Sequence, residues 1–261
     1  MGNNKSIQRI LVPLATLVTV IVNFGIDIVR PNGVTTAQIS DSFPNFFVPA
    51  GYVFAVWGII YIGLIAYTIY QALNKQLNNP RLQAIAPLYV LGCACNILWL
   101  IAFHYGQYAI SMIMMTGLLL CLIGCYVRLG TGGAQVSNSE RWFARIPISI
   151  YLGWITVATI ANATQLLVFL KWDGFGIAQQ TWAVIMIAVA VVVALLMLLQ
   201  RRDVAYLLVL VWAIAGIGVK QAAVPAVSTP AWIAAAIVAV FAIAALVMRR
   251  PANPPAAQLA R

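Results

Sequence analysis

Apolar residues run along this chain in blocks about as long as a bilayer is thick, and polar residues fall between the blocks. A spanning helix needs about 20 predominantly apolar residues. Such blocks occupy residues 9–29, 50–73, 84–103, 108–128, 146–170, 181–200, 203–220 and 230–248, and the pattern predicts eight membrane helices. The joints carry helix-breaking chemistry. They are Asn78-Asn79-Pro80, the turn His104–Gln107 with Gly106, the Gly/Ser-rich stretch Gly130–Ser139, and Lys171–Gly176. Lys5 and Arg9 precede the first block as they would in a signal peptide. That block continues through Asn23 to Ile28 without a small-residue cleavage site, so a retained helix is expected. Pro251, Pro254 and Pro255 predict a short disordered tail over 250–261. The expected fold is all-α, a polytopic transmembrane helix bundle of about eight spans.

Composition removes the competing classes. The chain is 63% hydrophobic and 8% charged, against about 45–50% and about 25% in soluble domains. So few charges cannot clothe a water-facing surface, which excludes a soluble enzyme, a disordered chain and a disulfide scaffold. The net charge of +10 would point to nucleic acid in a soluble protein. Here the basic residues come in ones and twos between apolar blocks, as topology determinants do, and no nucleic-acid partner is expected. With eight spans, Arg30, Lys171 and Lys220 fall on one side and the other twelve of the 15 basic residues on the opposite side. The positive-inside rule then puts both termini in the cytoplasm. Cys93, Cys95, Cys121 and Cys125 lie inside apolar blocks without a His or carboxylate at ligand spacing. They read as small buried hydrophobes, and no metal site is expected.

Polar residues at membrane depth are the first place to look for function. At about 100° per residue, Tyr151, Trp154, Ala158, Asn162 and Gln165 share one face of the fifth helix. Gly92, Asn96, Trp99 and Phe103 form a stripe on the third, and Phe54, Trp57 and Tyr61 on the second. The alternating topology puts these stripes between mid-bilayer and the outer third. Above them lies the longest outer loop, Pro31–Pro49, whose Phe43, Phe46 and Phe47 should hold it on the membrane surface or fold it over the bundle as a lid. An aromatic-walled space with a few amides, closed by a loop, is the make-up of a small-molecule site. Other features read more plainly. Trp142, Trp172, Trp182 and Trp232 suit an interfacial belt, His104 suits a turn, and Asp27 is expected to pair with Arg30 at i+3. General acid–base chemistry needs positioned titratable groups; near the outer side there are Asp27, His104 and Lys220, so binding is a more natural reading than catalysis. A secondary transporter of a small apolar or amphipathic molecule is the alternative, although the repeats and midplane charges of such proteins find only a faint echo in Trp57-Gly and Trp212-Ala-Ile-Ala-Gly.

Three segments resemble the TspO/MBR family, the tryptophan-rich sensory or translocator-like proteins. Pro49-Ala-Gly-Tyr-Val-Phe-Ala-Val-Trp57-Gly-Ile-Ile-Tyr61 is similar to that family's second-helix motif, Asn96-Ile-Leu-Trp99 to its third-helix motif, and Tyr151-Leu-Gly-Trp154 with Thr156, Ala158 and Asn162 to its fifth-helix motif. Order and spacing agree over residues 9–170. The resemblance implies a five-helix core over 1–170, followed by a three-helix membrane segment over 171–249. It also implies a porphyrin or related tetrapyrrole as ligand, haem included, with no cofactor required and a homodimer as the assembly. The site residues are then Phe54, Trp57, Tyr61, Asn96, Trp99, Tyr151, Trp154, Asn162 and Gln165. Tyr52 stands where the family has Trp, the outer loop is longer, and the added helices carry Trp212, Lys220 and Gln221. Leu122–Arg128 around Tyr126 and Leu64–Lys75 around Tyr70 fit a loose sterol-contact pattern that belt tyrosines and loop arginines also produce.

Overall fold

A computed structural model describes residues 7–248; the expected tail over 250–261 lies outside the described residues. A π-helical turn, Ile7–Leu11, runs into α1 (Val12–Val29), and the loop that follows contains a short helix, Thr36–Asp41. The 3-10 turn Gly51–Ala55 opens α2 (Val56–Ala72), and α3 (Pro80–His104) and α4 (Tyr108–Arg128) come next. The segments Asn138–Glu140 and Arg141–Arg145, the latter π-helical, lead into α5 (Ile146–Phe169). The last three are α6 (Gln179–Gln200), α7 (Val204–Lys220) and α8 (Pro225–Val247).

Local chemistry sets many of these limits. Asn79 Oδ1 accepts from the Arg81 N–H at 3.1 Å, and Asp203 Oδ1 from the Tyr206 N–H at 3.2 Å, capping α3 and α7. Pro80, Pro147 and Pro225 sit in first turns, where a missing N–H leaves no bond unmade. The eighth helix starts at Pro225, ahead of the expected residue 230. Ser228 and Thr229 interrupt the apolar run but not the helix, and Pro230 is accommodated inside it.

Seven of these segments are long and apolar enough to cross a bilayer. The eighth, α7, has 17 residues and rises about 25 Å, yet it too runs from one end of the bundle to the other. At its foot Asp203 accepts from Ser149 Oγ at 2.6 Å near the start of α5, and at its top Lys220 pairs with Asp41 in the outer loop. Helices α1, α3, α4, α5 and α2 pack in that order into a ring, α2 closing back on α1. Outside the ring, α7 packs on α5 and on the Gly51–Ala55 turn, with α8 and α6 behind it.

Two glycines permit these close approaches. A Cβ on Gly153 would lie 3.1 Å from the Tyr206 carbonyl oxygen, and one on Gly216 would run into Val53 Cγ2. The Ala50 N–H donates to Gly216 O at 3.0 Å and Trp212 Nε1 to Val53 O at 3.0 Å, so α7 holds the start of α2. The two ends of the bundle differ in chemistry. One, the basic end, carries Arg81, Arg128, Arg141, Arg145, Arg201 and Arg202; there Arg81 Nε meets Glu140 Oε1 at 2.6 Å and Gln8 Nε2 donates to Gln71 O at 2.9 Å. The other carries the loop.

Candidate functional site

The stripes on α2, α3 and α5 converge on Trp57. Its ring stacks on Tyr61 (centroids 5.5 Å apart, planes 18°) and on Trp99 (6.1 Å, 24°), and meets Tyr151 (5.9 Å) and Trp154 (6.2 Å) edge to face. Phe54 packs edge-on against Trp154 at 5.6 Å, and Phe103 extends the stack from Trp99 at 5.8 Å. Six of the nine expected site residues thus form one aromatic cluster, and each lies within one turn of the motif partner on its own helix.

A seventh, Asn96, ties three helices together behind the rings. Asn23 Nδ2 donates to Asn96 Oδ1 at 2.7 Å, and Asn96 Nδ2 donates to the Tyr151 hydroxyl at 2.9 Å. Both ends of the Asn96 amide are engaged, which makes this residue a bridge. By contrast, three polar atoms nearby have no partner. Trp99 and Trp154, 5% and 3% exposed, bury their Nε1 without an acceptor, and Asn162 buries its Oδ1 without a donor. An orphaned buried polar group costs about 1–3 kcal/mol; two such N–H donors lie in the aromatic cluster, and the acceptor lies about two turns further along α5.

The ninth residue, Gln165, serves the loop. Its Nε2 donates to Ser40 O at 3.2 Å and lies 3.1 Å from Ser40 Oγ, and one helical position away Asn45 Nδ2 donates to Thr164 Oγ1 at 2.6 Å. At the other edge of the loop, Asp27 Oδ1 accepts from both the N–H and the hydroxyl of Thr36, at 2.8 and 2.9 Å. Thr36 Oγ1 also lies 3.0 Å from His104 Nε2, and the Asn32 amide reaches the His104 carbonyl. With Phe47 buried, Phe43 edge-on to Tyr108 at 5.0 Å and Lys220 on Asp41, the loop folds over the bundle and is fastened to α1, α3, α5 and α7.

Two expectations change here. Arg30 does not pair with the Asp27 carboxylate. Its Nε donates to the Asp27 carbonyl at 3.1 Å, because the chain turns left-handed at Arg30 (φ 48°) and returns Thr36 to the carboxylate instead. The tyrosines of both sterol-pattern stretches face inward. Tyr126 is buried with its hydroxyl 3.4 Å from Met197 Sδ, and Tyr70 is buried against Phe143. Sequence reasoning passed over Thr36, Ser40 and Asn45 as site-forming residues. The Thr35/Gln38 capping box that fixes the loop helix was readable. Among the described residues no three His, Cys, Asp or Glu side chains gather around a common point for a metal.

A family model described as TSPO-like protein matches residues 9–244, running through α6 and α7 and into α8. No curated protein and no solved structure matches the chain.

Proposed function

The chain belongs to the TSPO-like protein family, and on that premise we propose that it binds a flat, largely apolar ligand of the tetrapyrrole class between α2, α3 and α5, beneath the loop of residues 31–49. The observation that carries this reading is the Trp57-centred cluster with the unpaired indole N–H groups of Trp99 and Trp154. Flat aromatic ligands gain about 0.5–1.5 kcal/mol per well-offset ring contact beyond burial, and the two N–H groups and Asn162 Oδ1 supply hydrogen-bonding positions for a polar rim. Entry requires Trp57 to leave its stack on Tyr61 and Trp99, so ligand affinity is set against the loss of those contacts. The loop fastenings at Asp27–Thr36 and Gln165–Ser40 govern access. The basic end faces the cytoplasm on this reading, and the ligand site then opens toward the opposite side.

The test is a titration of the purified full-length protein with protoporphyrin, followed by tryptophan quenching and by the porphyrin absorbance band. Trp99→Phe and Trp154→Phe should weaken binding and reduce quenching, whereas Trp232→Phe, half-exposed on α8, should leave both unchanged. Equal behaviour of all three variants, or no saturable binding by the wild type, would overturn the proposal.

A further inference from the structure

A cleft of about 1540 Å³ opens on the flank of the bundle between α2 and α7. It is separate from the aromatic cluster: Ile59, on its wall, is two residues from Trp57 and so about 200° around the helix. Ser149 and Ile150 of α5 form the floor, Ile59 one wall and Leu208 the other; the top closes where Trp212 reaches the Val53 carbonyl. The bottom is the basic end, where the loop from Thr131 and the turn at Arg201 meet. A Cβ on Gly132 would run into the Arg201 carbonyl oxygen, and Gly132 (φ 82°) adopts a backbone that favours glycine, so this junction is built for close approach.

Charge and burial single out that lower end. Arg141, Arg145, Arg201 and Arg202 line it, and among the described residues none has a carboxylate within ion-pair distance. The lining carboxylate, Asp203, is committed, with Oδ2 on Ser149 and Oδ1 on the Tyr206 N–H. Glu140 nearby is held by Arg81 and Asn79. Arg145, 7% exposed, is fixed by Nη1 on Ala134 O at 2.6 Å and Nη2 on Leu129 O at 2.8 Å, while its Nε is buried without a partner. Thr131, 8% exposed, buries its hydroxyl oxygen unpaired on the same lining. Arg201 Nη1 donates to Thr131 O at 3.5 Å and Arg202 Nη1 to Met248 O at 3.0 Å, which leaves their charge, like that of Arg141, without a carboxylate. A buried guanidinium N–H and a buried hydroxyl, both unsatisfied beside these three arginines, form a receptor for an anion with several oxygens.

The upper part of the cleft has the opposite character. Val56, Ile59, Ile150, Leu208 and Trp212 make it apolar, and Ile59, Leu208 and Trp212 are exposed along its open side. From Val204 to Trp212, α7 rises about 12 Å, close to half of the roughly 30 Å hydrocarbon core, so the cleft is about one leaflet deep. A free anion would fill only the bottom. We propose that the cleft binds an anionic phospholipid from the leaflet at the basic end, its phosphate on Arg145, Thr131 and the neighbouring arginines and an acyl chain between Ile59 and Leu208.

The experiment uses delipidated full-length protein in neutral detergent, with native mass spectrometry for retained lipid and the unfolding midpoint as second readout. Phosphatidylglycerol should be retained and should raise the midpoint; phosphatidylcholine with the same chains and inorganic phosphate should do neither. Arg141→Gln and Arg201→Gln should each weaken phosphatidylglycerol retention about fivefold. Leu208→Trp, which fills the apolar part from an exposed position, should abolish retention while leaving the lipid-free midpoint in place. Retention of both lipids alike would mean ordinary boundary lipid, and a full shift with phosphate alone would mean a free-anion site; either overturns the proposal. So does wild-type retention by Arg141→Gln and Leu208→Trp.

Discussion

Trp→Phe substitutions at Trp99, Trp154 and Trp212 should have stability effects of opposite sign, because only one of the three indole N–H groups is satisfied. Trp212 Nε1 donates to Val53 O at 3.0 Å, whereas Trp99 and Trp154 bury theirs unpaired. Trimming a buried ring by a small step costs about 0.5–1.5 kcal/mol through lost packing. At Trp99 and Trp154 this loss is offset by removing an orphaned donor whose burial costs about 1–3 kcal/mol. The net change there is near zero or stabilising by about 1 kcal/mol. At Trp212 no such gain exists. The substitution loses a hydrogen bond worth about 0.6 kcal/mol on average in membrane proteins on top of the packing loss, while the Val53 carbonyl keeps the Val56 N–H as a donor. The ligand-site variants should therefore match or exceed the wild-type unfolding midpoint in detergent while binding protoporphyrin less well, and Trp212→Phe should be the least stable of the three. Losses of stability at Trp99 and Trp154 as large as at Trp212 would refute the reasoning, since both N–H groups would then be making bonds that hold the fold.

Two further outcomes follow from the helix contacts. Gly216→Ala should cost about 1–3 kcal/mol by overpacking against Val53 and Pro49 and should speed proteolysis of the 31–49 loop; Gly58→Ala, with nothing within 4 Å, should be neutral or stabilising by up to about 1 kcal/mol. Cysteines introduced at the exposed positions Asn78 and Gln135 should be protected from an impermeant reagent added outside intact cells, while Ala178 should label; labelling of Gln135 would reverse the orientation proposed above.

The bundle was legible in the sequence because a bilayer demands a long apolar run from every span, and prolines and caps mark where spans stop. The aromatic cluster was legible because Trp57 and Tyr61, Asn96 and Trp99, and Tyr151 and Trp154 each repeat at helical spacing, so three local stripes pointed to one axis. What local spacing could not carry is contact between distant segments. Gly216 looks like one small residue among many until Val53 is placed against it. Gln165 shares a face with Trp154 and reads as part of the pocket wall; what spacing could not show is that its amide also donates to Ser40 in the loop above. Asp27 had Arg30 at the right interval for a helix, yet the helix ends at Val29 and the left-handed turn carries the guanidinium elsewhere. The flank cleft left no trace in the apolar pattern, since its walls are ordinary lipid-facing residues and its arginines read as topology signals.

The short α7 also acts on the membrane around it. At about 25 Å it falls roughly 5 Å short of the average hydrocarbon thickness. Neither terminus can make up the difference by reaching outward, because Asp203 is bonded to Ser149 and Lys220 to Asp41. The surrounding lipid must therefore yield, and the bilayer thins along the flank where the cleft opens. A bilayer of shorter acyl chains relieves that deformation, so this one helix should draw shorter lipids to the side of the bundle it occupies, while the other seven spans, of 21–32 residues, ask for no such thinning.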